Sequence, residues 1–305
     1  MTEQENAMNA TLVMGPVLFN WKPETWRDYY FRIADEADVD EVCVGEVVCS
    51  KRAPFFEPYL PDVIERLQGA NKKVILSTLA LIMNKREMNA VRDVAEIIDD
   101  GIQVEANDVS ATALLRGKPH TVGPFVNVYN EGTLSYLAEN GAQSVCLPVE
   151  LGLDALTALA KDTPVQLETL VFGRLPLAIS ARCYHARAHG LHKDSCKYVC
   201  EQDPDGMDVE TLDGESFLAV NGVQTLSHAY GELSASVQDL LKIGIRRLRL
   251  SPHAHVDMIA VADAYRAVAN GTMDGEQAHV HLAGMLKGAE MCNGYIRGQN
   301  GHIYS

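Results

Sequence analysis

The sequence predicts an α/β fold, a (β/α)8 barrel of the TIM type, on three observations. Eight short apolar segments are spaced along 305 residues, most are followed by an amphipathic helical pattern, and polar residues recur where the apolar segments end. Parallel strands need crossovers long enough to hold a helix, so this alternation specifies parallel pairing, and a count of eight suits a closed barrel. A doubly wound open sheet is the competing topology.

The first strand lies within Leu12 to Phe19 and ends at the Gly15–Pro16 turn or just beyond. Pro23 opens a helix through about Ala37, because proline at a first helical turn forfeits no hydrogen bond, and Trp26, Tyr30, Ile33 and Ala37 share one stripe. Val42 to Val48 is the second strand, with a helix from about Pro61 to Ala70 facing Val63, Ile64 and Leu67 inward. Val74 to Leu81 follows, then a helix with the stripe Met88, Val91, Ala95 and Ile98. Shorter units come next: strands at Ile102 to Glu105, Val122 to Val128 and Ser144 to Leu147, with helices over Ala111 to Arg116, Leu134 to Glu139 and Leu153 to Ala160. Val165 to Val171 is the seventh strand. An irregular insertion from Gly173 to about Glu215 interrupts the rhythm, and its Gly190 to Gly214 stretch suits a surface excursion on the rim of one domain spanning residues 1–305. A helix near Val237 to Ile243, a strand at Arg247 to Leu250 and a helix from Val256 through Val268 complete the pattern.

Acidic residues number 41 against 26 basic ones, a net charge of −15, and no basic run offsets it, which argues against direct binding of nucleic acid. The opening MTEQENAMNA has neither the basic start nor the apolar core of a secretory leader, and no apolar run reaches the ~18 residues that span a bilayer. The expectation is a soluble cytoplasmic protein that is not transmembrane. In a reducing compartment seven cysteines point to metal binding or chemistry in preference to disulfides.

Three of those cysteines sit in the insertion, in CYHARAHGLHKDSCKYVC, where Cys183, Cys196 and Cys200 are separated by 13 and 4 positions. The shorter interval puts Cys196 and Cys200 on one face if that piece is a helical turn. Cys49, at the carboxyl end of the second strand, is the best fourth ligand, and four soft thiolates select zinc or an iron–sulfur centre. The residues alone leave those two level. Cys43 and Cys146 fall inside apolar strands and read as buried thiols, Cys292 is uncommitted, and His185 and His189 read as a polar face or as donors behind the ligands.

Ligands of such folds collect beyond the carboxyl ends of the strands. The candidates for a substrate rim there are Glu46, Glu105, Asn127, Tyr129, Glu150, Glu168 and Arg174. Four glutamates converging on one mouth would supply acids, bases or metal ligands, whereas singly each would cap a helix or pair with Arg52, Arg174 or Arg182. Asn130 is placed to cap the helix after it. Dinucleotide, triphosphate-loop and serine-hydrolase motifs do not occur where those chemistries need them, so no catalytic residue is assigned.

Several motifs in one order carry a resemblance: GPVLFNWKPETW near the start, CVGEVVCSKR from Cys43 to Arg52, LSTLAL at Leu76 to Leu81, EAND at Glu105 to Asp108, CLPVEL at Cys146 to Leu151, and LETLVFGRLPLAISARC followed by KDSCKYVC. Together they resemble the ubiquinone-biosynthesis members of the collagenase-like peptidase family. The resemblance implies that Cys49, Cys183, Cys196 and Cys200 bind a 4Fe-4S cluster, which separates iron–sulfur from zinc. It implies a heterodimer with a homologous, UbiU-like subunit, acting in oxygen-independent hydroxylation of the ring of a prenylated aromatic quinone precursor, with a lipid-binding accessory protein involved. A non-catalytic structural or electron-transfer partner of the hydroxylating subunit is the alternative role. The peptidase label finds no nucleophile and base in the sequence to support it.

Overall fold

The computed structural model describes residues 10–100, 102–286 and 288–305; the first nine residues, read above for a leader, lie outside them. Seven parallel strands come first: β1 (Thr11–Met14), β2 (Glu41–Val44), β3 (Lys73–Ser77), β4 (Gln103–Ala106), β5 (His120–Val122), β6 (Ala142–Cys146) and β7 (Gln166–Ile179). Three antiparallel strands follow, β8 (Met207–Glu210), β9 (Ser216–Asn221) and β10 (Gln224–Glu232), before the chain returns as β11 (Arg247–Leu250). β11 pairs in parallel with both β1 and β7, so eight strands close a barrel in the predicted order. The fifth lies earlier than the expected Val122 to Val128, because Pro124 opens a 3-10 turn over Pro124–Val126. A two-residue strand, β12 (Met291–Cys292), pairs with β10.

Helices cover the barrel: α1 (Pro23–Glu36), α2 (Ala53–Phe56), α3 (Leu60–Gly69), α4 (Lys85–Glu96), α5 (Val109–Leu114), α6 (Glu131–Glu139) and α7 (Leu153–Ala160), then α8 (Tyr184–Ala188) in the excursion, and α9 (Val237–Lys242), α10 (Met258–Ala269) and α11 (Gly275–Met285). Their local causes are ordinary. Pro23 starts α1, which buries Trp26, Tyr30, Ile33 and Ala34 against the strands. Asn84 and Asn130 cap α4 and α6 by accepting the N–H groups of Glu87 and Thr133 at 3.0 and 2.9 Å. Among the described residues no helix is long and apolar enough to cross a membrane.

The barrel interior is partly ionic. Arg247 and Arg249, alternate residues of β11, point inward and reach across the lumen. Arg247 holds Glu41 at 2.7 Å and Glu168 at 3.0 Å, and Arg249 holds Glu168 and Glu105. Ser77 Oγ and Asn107 Nδ2 donate to the other Glu105 oxygen at 2.8 and 3.0 Å. Burial alone would raise the Glu41 and Glu168 carboxyls, but the guanidiniums outweigh it and both lie below the ordinary range. Val13, Cys43 and Ile75 pack as an apolar layer, and Cys43 and Cys146 are buried.

The seventh strand runs past Gly173, where the sequence suggested irregular chain. Gly173 has φ +121°, and a side chain there would meet Ser251 and His253 at 2.5 and 3.1 Å. That glycine lets β7 leave the barrel wall: up to Phe172 it pairs with β11, and from there on with β10. The excursion is thus an antiparallel sheet, β7-β10-β9-β8, with the cysteine segment slung between β7 and β8.

Candidate metal centre

Past β2 the chain turns hard against its neighbour. Gly45 has φ +126°, and a Cβ there would lie 2.8 Å from the Ser77 carbonyl oxygen. Glu46 Oε1 then accepts the N–H groups of Val48 and Cys49, both at 2.8 Å, so the loop winds around a carboxylate and leaves Cys49 half-buried at the rim. Three residues on, Arg52 turns inward and is 1% exposed. Its guanidinium donates to the Leu18 carbonyl at 2.9 Å and to Asn221 Oδ1 at 2.8 Å, on the far side of the excursion.

Cys183 caps the N-terminus of α8, its sulfur accepting the Ala186 N–H at 3.4 Å. Cys196 and Cys200 do not share a helical turn, contrary to the spacing argument. A 3-10 turn at Lys193–Ser195 leads to Cys196, then Lys197 and Tyr198 adopt left-handed φ of 51° and 55°, and a second 3-10 turn carries Cys200. Bulky residues take up that conformation only when their surroundings impose it. Here Tyr198 meets the Phe55 ring edge-on at 4.9 Å, Lys51 Nζ donates to the Lys193 carbonyl, and the Trp21 indole donates to the Pro204 carbonyl at 2.7 Å.

Cys49, Cys183 and Cys200 lie in the field of Arg52, and Cys196 lies in that of Cys183. Burial lowers the affinity of that guanidinium for its proton, while Glu46, Cys200 and Cys49 raise it and prevail. Burial pushes the Cys49 and Cys183 thiols up, and Arg52 acts on both in the opposite sense. Cys183 also feels Cys200 and Cys196, each resisting its ionisation. Among the described residues Arg52 has no carboxylate within ion-pair distance, and its Nε is buried without a partner. A buried cation in this state is costly unless anions stand beside it. Glu46 is the carboxylate that acts most strongly in that field, with the Cys200 and Cys49 sulfurs after it, and sulfurs gathered as thiolates would in turn need a metal. The donor set therefore fits a thiolate-bound metal centre, although among the described residues no three His, Cys, Asp or Glu side chains form a closed metal site as they stand.

His185 is buried, with Nε2 2.8 Å from Asp203, and burial lowers its affinity for a proton; its ring stacks on His189 at 5.6 Å. Both act as supports of the excursion.

The rim residues do not converge. Glu105 and Glu168 lie inside the lumen, 1% and 2% exposed, because Arg249 and Arg247 draw them there. Glu46 belongs to the Cys49 loop, and Glu150 is exposed and accepts the Tyr129 hydroxyl. Asn127 is exposed at φ 59°, joining a 3-10 turn to the start of α6. Arg174 is buried beneath the excursion, over the Tyr230 ring and bonded to the Ser227 carbonyl at 3.1 Å. Arg247 and Arg249 were not foreseen as partners of the glutamates; the alternation in RLRL is the signal that carried them, two cations on one face of a strand. The mouth of the barrel is nearly filled, leaving a space of about 20 Å³ among Leu18, Phe125, Leu170 and Pro176.

Among solved structures, N-acetylneuraminate lyase from Fusobacterium nucleatum, complexed with pyruvate, aligns with 92% of this chain and 83% of its own at a TM-score of 0.52 and 9% identity. That likeness is one of fold alone. A truncated 3-deoxy-D-arabino-heptulosonate 7-phosphate synthase from Thermotoga maritima reaches 0.44 at 10% identity over 92% and 89% of the two chains, too low to bear on either fold or chemistry. Residues 29–303 match the model of peptidase family U32, nearly the whole described chain, and the protein belongs to that family.

Proposed function

We propose that this chain is a UbiV-type subunit of a heterodimeric system that hydroxylates the ring of a prenylated ubiquinone precursor without dioxygen. In this reading Cys49, Cys183, Cys196 and Cys200 hold one 4Fe-4S cluster. The observation that carries it is Arg52, a buried guanidinium in the field of Glu46, Cys200 and Cys49, whose Nε has no partner among the described residues. The ordered motifs around all four cysteines supply the choice of iron–sulfur over zinc.

When bound, a thiolate-held cluster supplies one-electron transfer or an iron site for an oxygen-bearing group. The chain's own part is positional. Glu46 shapes the Cys49 loop, the Ala186 N–H steadies the Cys183 sulfur, and Arg52 offsets anionic charge. A UbiU-like partner would complete the system. The filled barrel mouth favours a second reading, in which this subunit transfers electrons or supports the fold of a partner that binds the ring.

Anaerobic purification, alone and with the partner coexpressed, tests the cluster. Iron and acid-labile sulfide in equal amounts, with a brown chromophore that any one of the four Cys→Ala changes abolishes, is the expected result. Zinc without iron, normal anaerobic quinone formation by a cluster-free quadruple variant, or peptide cleavage by the loaded protein would overturn the proposal.

A further inference from the structure

A cavity beside the Cys49 loop, with Glu46 and Ser50 in its wall, lies off the barrel axis. It has a volume of about 260 Å³ and opens between the carboxyl ends of β2 and β3 and the helices α2 to α4. Trp26, Phe56, Leu60, Leu76, Leu79 and Val94 form its apolar wall. Its polar side holds Glu46, Ser50 and Glu87. Both oxygens of the buried Glu87 are engaged, one by Ser50 Oγ at 2.8 Å and one by the Met83 N–H at 2.7 Å. Glu46 uses Oε1 to hold the Val48 and Cys49 N–H groups, and the Val47 N–H also bonds this carboxyl. The carboxyl that shapes the Cys49 loop therefore also stands on a cavity wall.

Charge narrows the occupant. Glu46, Glu57, Glu87 and Asp93 line the cavity against Arg86 alone, so an anionic head such as a carboxylate or phosphate meets net repulsion. A neutral hydroxyl instead donates to Glu46 while apolar groups beside it fill the wall. The barrel mouth offers less than a tenth of this space.

We propose that this cavity binds the substrate, an alkylated phenol, with its hydroxyl toward Glu46 and Ser50 and its apolar chain leaving between α3 and α4. The identity of that ligand as the substrate rests on the function proposed above; the binding chemistry rests on the cavity. It places a ring beside the Cys49 loop on this subunit and gives the filled barrel mouth no role in binding.

Trp21 and Trp26 are the two tryptophans, so a Trp21→Phe background leaves Trp26 in the cavity wall as the reporter. The full-length chain, purified anaerobically, is titrated with 4-octylphenol and with decanoate while Trp26 emission is followed. Saturable binding of octylphenol is expected, at least tenfold tighter than decanoate. Ala90→Phe, at an exposed position of α4 on the cavity rim, should weaken octylphenol about tenfold with an unchanged thermal midpoint. Ser50→Ala should weaken it independently. Absence of saturation, decanoate binding as tightly as octylphenol, or full affinity in both variants overturns the inference. Iron and sulfide measured on the same samples separate the two proposals. Cluster-loaded protein that ignores octylphenol removes only the cavity assignment, and protein that binds it without iron removes only the cluster.

Discussion

Arg52 and Arg249 are both buried cations, but one stands near two cysteines and a single glutamate and the other is gripped by two carboxylates, and their replacement should fail differently. Arg249→Met leaves Glu105 and Glu168 in the lumen without their main partner, and loss of one member of a buried ion pair costs roughly 3–5 kcal/mol, to be read by urea unfolding. Arg52→Met keeps the volume and removes the charge; its expected signature is faster loss of iron on chelator challenge in otherwise folded protein. The lumen also sets an acid limit. The folded-state carboxyls of Glu41 and Glu168 titrate below the ordinary value of 4.5, so their stabilisation is present above that value and is lost as the pH falls through the folded values. Urea midpoints should therefore drop below about pH 4.5, and less steeply in Arg247→Met, which removes a partner common to both.

Individual elements differ in how openly their sequences announce them. Asn130 was legible as a cap because an asparagine preceding a helical stripe has one common use, and Asn130→Ala should cost ~1 kcal/mol in a thermal or urea transition. The β9–β10 hairpin was hidden. Its signal is the Asn221–Gly222 pair, but Asn221 and Gln224 beside the turn are buried polar residues gathered at Arg52, not the apolar alternation that usually frames a hairpin. Gly222 has φ +64°, and a Cβ would stand 2.8 Å from the Arg52 guanidinium. Gly222→Ala should cost about 1–2 kcal/mol from backbone strain alone and, by displacing Arg52, weaken iron retention as well. The backbone between Cys196 and Cys200 was illegible for another reason: nothing in KYVC foretells two left-handed residues, which packing from Phe55 and Lys51 accompanies.

At the scale of the molecule the barrel was readable because each strand and helix carries its own period, and closure follows from their number and order. The excursion was not, because its sheet draws on strands far apart in sequence and begins in a strand that already belongs to the barrel. In the proposed centre four cysteines would join an early loop to that excursion across more than 130 residues of chain, so losing them should loosen one part of the molecule selectively. In Cys49→Ala, limited trypsin digestion should cut around the exposed Lys197 while the barrel resists, with fragment masses as the readout. β7 has a consequence of a different kind. Because one uninterrupted strand serves the barrel wall and the outer sheet, adding or deleting a residue between Gln166 and Ile179 would turn side chains to the wrong face in one or both. At the surface turn of Gly214, in contrast, an added Cβ would meet nothing within 4 Å, and the turn should accept added residues. Across natural variants, this protein should change length freely at its loops while β7 keeps its residue count.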